Sequence, residues 1–166
     1  MKPMLLHEAP YYQSEINNQS YLFIQPKLNG WRAIINTKTG IIYSRTEKKI
    51  ILPHITADVI NKGLPEWIDG ELYTHGYTLS EIQSMIKRKD ERIKFNCFDV
   101  IDKGVFSSRF KVNYNNVETY RIMPSEINRY YKDFLSRGYE GAVIRLDKEY
   151  EHGRSLNIFK LKPVYD

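Results

Sequence analysis

Cysteine occurs once in these 166 residues, at Cys97, which excludes an intramolecular disulfide and fits a reducing compartment. It stands in the run Phe95-Asn96-Cys97-Phe98, where a small buried hydrophobe is expected rather than a reactive thiol. No apolar run approaches the ~18 residues that a membrane span requires. The opening residues, Met1-Lys2-Pro3-Met4-Leu5-Leu6-His7-Glu8, lack the apolar core of a signal peptide. His7, His54, His75 and His152 are scattered without ligand spacing, so with one cysteine there is no zinc constellation. Repeats, low-complexity tracts and Gly/Ser linkers are also missing. What remains is a soluble chain expected in the cytoplasm, without a membrane partner, folding as one compact domain.

The composition is ordinary for a globular protein, at 42% hydrophobic and 27% charged residues. Twenty-five basic against 20 acidic residues leave +5, which permits a polyanionic partner without demanding one. Aromatics are abundant, with 13 Tyr, 7 Phe and 2 Trp; they serve packing first, although base-stacking platforms use the same side chains.

Residues 1–20 are polar and read as an arm lying on a domain of residues 21–166. Tyr21-Leu22-Phe23-Ile24-Gln25 reads as a strand that stops at Pro26. Asn29-Gly30 then turns the chain into Trp31-Arg32-Ala33-Ile34-Ile35, and Thr37–Gly40 turns it again into Ile41–Ser44, a three-stranded meander. Further strands are expected at Trp67–Tyr73, Lys94–Ile101, Gly141–Leu146 and Leu156–Lys162. Thr78-Leu79-Ser80-Glu81 has capping-box spacing and opens a helix carrying Ile82, Met85 and Ile86. A second helix opens at Pro124-Ser125, closes at Gly138 and shows Ile127, Tyr130, Tyr131, Phe134 and Leu135 on one face. A shorter one is expected over residues 56–62. Strands interrupted by helices, with early hairpins, predict an α+β fold with a largely antiparallel sheet.

The sharpest local feature is Lys27-Leu28-Asn29-Gly30-Trp31-Arg32. It presents an amine and a guanidinium together at a tight turn, which suits nucleophilic attack at phosphate; a hairpin loop with a solvated lysine is the alternative reading. This hexapeptide, Ser44-Arg45-Thr46, Asp69-Gly70-Glu71-Leu72-Tyr73, Phe95–Val100, Glu140-Gly141-Ala142-Val143-Ile144-Arg145 and Phe159-Lys160-Leu161-Lys162-Pro163 stand in the order of six family motifs. Together they resemble the adenylation domain of ATP-dependent DNA ligases, within the covalent nucleotidyltransferases that include RNA ligases and capping enzymes. Asn29 departs from the aspartate usual at its position.

The resemblance implies the covalent nucleotidyltransferase fold, mainly antiparallel sheets flanked by helices. It also implies a substrate set of ATP, Mg²⁺ or Mn²⁺ and nicked duplex DNA, in a monomer serving DNA replication, repair and recombination. Lys27 would attack the α-phosphate of ATP and become lysyl-AMP, with Lys160 and Lys162 beside it to depress its pKa and neutralise phosphate charge. Glu71 would contact the ribose, Glu140 would help hold the divalent cation, and Glu71 is a second candidate metal ligand. Phe98 would stack on adenine and Gln25 would read its amino group. Arg32 and Arg45 would hold the 5′-phosphate of the nick, with Arg145 supporting the same polynucleotide surface. An RNA ligase and a non-catalytic DNA-binding remnant weakened at Asn29 are the rival readings. The family's OB-fold domain would follow the K-x-K motif, and the sequence stops at Asp166. A minimal ligase of the kind small viral genomes encode, or a domain excised from a longer chain, is expected.

Overall fold

The computed structural model describes residues 1–163; residues 164–166 of the expected domain lie outside the described residues. The strands, in chain order, are β1 (Met4–Glu8), β2 (Leu22–Lys27), β3 (Trp31–Asn36), β4 (Ile42–Ser44), β5 (Lys49–Ile50), β6 (Trp67–Tyr73), β7 (Lys94–Val100), β8 (Tyr120–Ile122), β9 (Gly141–Arg145) and β10 (Gly153–Leu161). The helices are α1 (Gln13–Asn17), α2 (Pro53–Val59), α3 (Leu79–Lys87), α4 (Phe106–Arg109) and α5 (Ile127–Ser136). Two five-stranded sheets result, ordered β1-β10-β9-β2-β8 and β5-β4-β3-β6-β7. All strand pairings are antiparallel except β1 with β10. The α+β class with mainly antiparallel sheets is as expected.

Each sheet has its own core. Ile35, Leu52, Ile68, Leu72, Ile82, Met85 and Phe95 pack where α2 and α3 cover the second sheet. Leu22, Ile24, Phe134, Ile144 and Phe159 pack where α5 covers the first. Helix α3 has the expected capping box: Thr78 Oγ1 accepts from Glu81 N at 3.2 Å, and Thr78 N donates to Glu81 Oε1 at 3.0 Å. Helix α5 buries Phe134 at the centre of its expected apolar face and ends at Gly138, whose φ of 88° only glycine adopts cheaply.

Several sequence expectations are corrected. The Lys27–Gly30 segment is not a hairpin, because β2 and β3 belong to different sheets and the turn carries the chain from one to the other. The meander therefore begins at β3. Strand β2 also continues through Pro26 to Lys27. Alternate residues of an antiparallel strand point their N–H to opposite sides. The Lys27 carbonyl accepts from Glu140 N on the β9 side, so Pro26 faces the other side, where β8 pairs only as far as Ile24. No ladder bond is lost there. The short helix lies at Pro53–Val59, opened by proline, rather than at 56–62. The opening residues hold β1 and α1, with Met4, Ala9 and Ile16 buried.

A buried polar network ties the sheets together. Asp99 on β7 accepts from Arg109 Nε and Nη2, each at 2.9 Å, and from Arg145 Nη1 of β9 at 2.8 Å. Arg145 Nε in turn donates to Gln25 Oε1 of β2 at 2.6 Å, while Gln25 Nε2 donates to the Phe98 carbonyl and to Thr119 Oγ1, both at 3.0 Å. Every bridging side chain in this network is paired, as a buried ion cluster requires.

Candidate active site

The sheets face each other across a cleft of ≈ 580 Å³ lined by Lys27, Gly30, Arg32, Arg45, Glu71 and Lys160, among others. Strand alternation explains the gathering. Gln25, Val143 and Lys160 occupy one cross-strand row of the first sheet, so Lys27 and Lys162, each two residues further on, project from the same face. On the second sheet Arg32 lies directly opposite Glu71.

Lys27 Nζ donates to Glu140 Oε2 at 3.2 Å, and Lys162 Nζ stands 3.8 Å from Glu140 Oε1. Burial, with the positive charges of Lys162 and Lys27, holds the Lys160 pKa below its ordinary value. Two ammonium groups thus flank the Glu140 carboxylate and a third, Lys160, feels both of them, an arrangement suited to a polyanion such as a nucleoside triphosphate.

Glu71 Oε2 accepts from Gly30 N at 3.3 Å. A Cβ on Gly30 would lie 2.5 Å from the Leu72 carbonyl and 2.9 Å from Glu71 Cγ, so only glycine allows the Lys27–Gly30 turn to approach β6 this closely. Burial pushes the Glu71 carboxyl from 4.5 up to about 7, against the opposing pull of Arg32 and Lys27. A raised carboxyl favours the folded state fully below its unfolded pKa, and this contribution is lost as pH rises through the folded one. Wild type is therefore expected to lose thermal stability, relative to Glu71→Gln, between about pH 4.5 and 7. Paired melting curves across that range check this; parallel curves would contradict it.

Arg45 is exposed at the cleft mouth and open to a phosphate. Arg32 lines the cleft but is committed to Asp69, donating through Nε at 2.8 Å and Nη2 at 2.6 Å, with Nη2 also reaching the Met4 carbonyl at 2.9 Å. Tyr150 donates its hydroxyl to the same Asp69 at 2.7 Å, which makes Asp69 a structural anchor. Two of the expected site residues are engaged inside the fold. Arg145 presents no polynucleotide surface, being 2% exposed and tied to Asp99 and Gln25. Gln25, 1% exposed, spends its amide on Arg145, Phe98 and Thr119 rather than leaving it for a purine. Phe98 is half-buried with the Arg32 and Arg145 guanidiniums 4.8 and 4.9 Å from its ring centroid, so a stacking purine would compete with them. Asn29 is exposed on the turn.

Among the described residues no three His, Cys, Asp or Glu side chains gather as a metal cage. Magnesium that arrives with a nucleotide needs one or two carboxylates and completes its shell with phosphate oxygens and water. Glu140, 24% exposed beside Lys27, fits that sparse requirement; Glu71, turned toward Gly30 N, fits it less well. Sequence reading missed Leu5, Leu6 and Arg154, which line the cleft because β1 pairs with β10. Nothing in those residue types marks them beforehand.

No protein-family model matches the chain. A DNA ligase of African swine fever virus (a tick isolate from South Africa) is 28% identical over 179 residues, covering 86% of this chain and 42% of the relative. The chain thus spans less than half the length of the curated relatives it matches. Among solved structures, the Chlorella virus DNA ligase–adenylate aligns with a TM-score of 0.77 at 24% identity, over 98% of this chain and 67% of that one. A Lig E DNA ligase, described as binding DNA with a minimal scaffold, aligns at 0.75 and 20% identity, over 98% of this chain and 69% of that one. The chain has the nucleotidyltransferase fold of the adenylation domain of ATP-dependent DNA ligases, and its sequence resembles those ligases over most of its length.

Proposed function

We propose that the chain carries out the nucleotide-transfer chemistry of an ATP-dependent DNA ligase. Lys27 Nζ, after losing its proton to solvent, attacks the α-phosphorus of ATP; the P–N bond forms as the bond to pyrophosphate breaks. A 5′-phosphate oxygen at the nick then takes AMP from Lys27, and the 3′-hydroxyl displaces AMP to join the strands. The observation that carries this reading is the Lys27–Glu140 pair at 3.2 Å, with Lys162 3.8 Å from the same carboxylate and Lys27 and Lys160 lining one cleft.

Each residue has a physical task. Lys160 and Lys162 offset phosphate charge beside the Lys27 amine. Glu140 holds the Lys27 amine in line until ATP enters, and is the carboxylate suited to a divalent cation. That cation, bound with ATP, supplies neutralisation of the phosphate charge. Glu71 and Gly30 shape the wall against which a ribose would rest. Arg45, exposed at the mouth, is the guanidinium suited to a 5′-phosphate among the described residues. Arg32 could join it only by exchanging part of its pairing with Asp69.

Incubation with labelled ATP and Mg²⁺ is expected to leave one AMP on the chain, where labelled GTP leaves none. A nicked DNA duplex carrying a 5′-phosphate is expected to be sealed faster than an RNA nick. The opposite strand preference would favour the RNA ligase reading. Duplex binding without covalent AMP would favour the non-catalytic one.

A further inference from the structure

Outside the cleft, one set of contacts links both cores to the catalytic carboxylate. Tyr139 packs against the core of each sheet. It directly precedes Glu140, whose backbone N–H donates to the Lys27 carbonyl at 3.1 Å and whose side chain holds Nζ. The exit from α5 therefore decides where Glu140 stands.

That exit is gripped from the opposite sheet by His75, just past the end of β6. Its ring lies 4.4 Å from the Tyr139 ring, 32° from parallel. His75 Nε2 is 2.8 Å from the Arg137 carbonyl, and Nδ1 is 2.6 Å from the Tyr73 hydroxyl. A carbonyl only accepts, so Nε2 carries the proton and Nδ1 accepts from Tyr73. Both nitrogens are used in the neutral ring. Gly138 lies against the ring at ordinary contact distance, a Cβ there being 3.5 Å from Nε2, and its φ of 88° turns the chain from the helix end toward Tyr139. The Arg137 guanidinium lies 5.5 Å from the Tyr139 ring centroid and is anchored by Glu118 at 2.8 Å.

We propose that His75 is a positioning residue that clasps the α5 exit so that Glu140 stays against Lys27; the catalytic part of this claim rests on Lys27 being the nucleophile. The clasp is a polar link that runs from Tyr73 of β6 through His75 to the turn that delivers Glu140 from the other sheet. Without it, Tyr139 keeps its packing but loses its stacked neighbour, and the Arg137 carbonyl loses its donor. Glu140 is then held by its backbone bond to the Lys27 carbonyl and by β9, without the clasp on the preceding turn.

The test uses the full chain with His75→Ala and His75→Gln, since a glutamine amide can donate to Arg137 and accept from Tyr73 at similar spacing. Two readouts are taken. One is the single-turnover rate of AMP transfer and the KM for ATP. The other needs no ATP: acylation of Lys27 by an amine-reactive anhydride, relative to exposed Lys38, read by peptide mass spectrometry. His75→Ala is expected to slow transfer about tenfold at unchanged KM, a small misplacement of a reacting group being enough for this. It is also expected to raise Lys27 acylation severalfold, while His75→Gln restores both. Wild-type acylation of Lys27 in a folded His75→Ala would overturn the clasp. So would a loss of transfer that His75→Gln, folded and equally stable, fails to restore. If wild type takes no AMP, the ligase reading falls, and the acylation ratio alone still decides whether His75 holds the pair.

Discussion

Lys27→Ala is expected to abolish covalent transfer of AMP, a fall of about 10³-fold or more, while the protein still folds. The asymmetry follows from where the side chain sits. Its pair with Glu140 is partly exposed, 21% and 24% for the two side chains, and such pairs are worth only about 0–1 kcal/mol. Lys162 remains near Glu140, so the carboxylate is not left alone. The chemistry has no such reserve. Lys160 is held on the neighbouring row of the sheet, opposite Val143, and cannot take the position of the Lys27 amine without moving β10. Intact mass after incubation with ATP and Mg²⁺, alongside far-UV circular dichroism, checks both halves. AMP recovered on Lys160 or Lys162 peptides of the variant would remove Lys27 from its role.

Asp99→Ala has the opposite profile: little chemistry of its own and a large loss of stability. Asp99 is fully buried and pairs with two guanidiniums, those of Arg109 and Arg145, offsetting one of their two charges. Removing it leaves two buried cations facing each other, and breaking a buried pair in this way typically costs about 3–5 kcal/mol. Because Arg145 also holds Gln25, the damage would spread to both sheets, and the denaturant midpoint is expected to drop steeply. Asp99→Asn would lose less, since an amide oxygen can keep some of the bonds. A midpoint for Asp99→Ala within the scatter of surface variants would show that the network contributes no net stability.

Much of the secondary structure was legible because it depends on neighbours in sequence. The bounds of Trp67–Tyr73 and the capping box at Thr78 follow from local pattern and side-chain chemistry. The short elements β1, β5, β8, α1 and α4 were not legible. They run from 2 to 5 residues, too short to show a period, and they exist because longer strands and cores offer them partners. The Lys27 turn shows the same limit from the other side. Asn29-Gly30 carries a hairpin signal, yet pairing decides whether a turn makes a hairpin, and here β2 pairs with β8 and β9 while β3 pairs with β4 and β6.

For the candidate site, the sequence by itself determined the residue types on offer and their order: a lysine in a glycine turn, carboxylates at Glu71 and Glu140, and alternating lysines at Lys160 and Lys162. Those are properties of residue type and spacing. Only the tertiary structure decided which of them are free to act. Arg45 and Arg145 are indistinguishable as letters, but one lies exposed at the cleft mouth and the other is spent between Asp99 and Gln25. Arg32 is divided between the cleft and Asp69, and Gln25 is saturated by partners 73 to 120 positions away in sequence. The reason is physical: a buried charge or amide must be satisfied wherever the fold places it, and the partner that satisfies it comes from another strand, which no local pattern encodes.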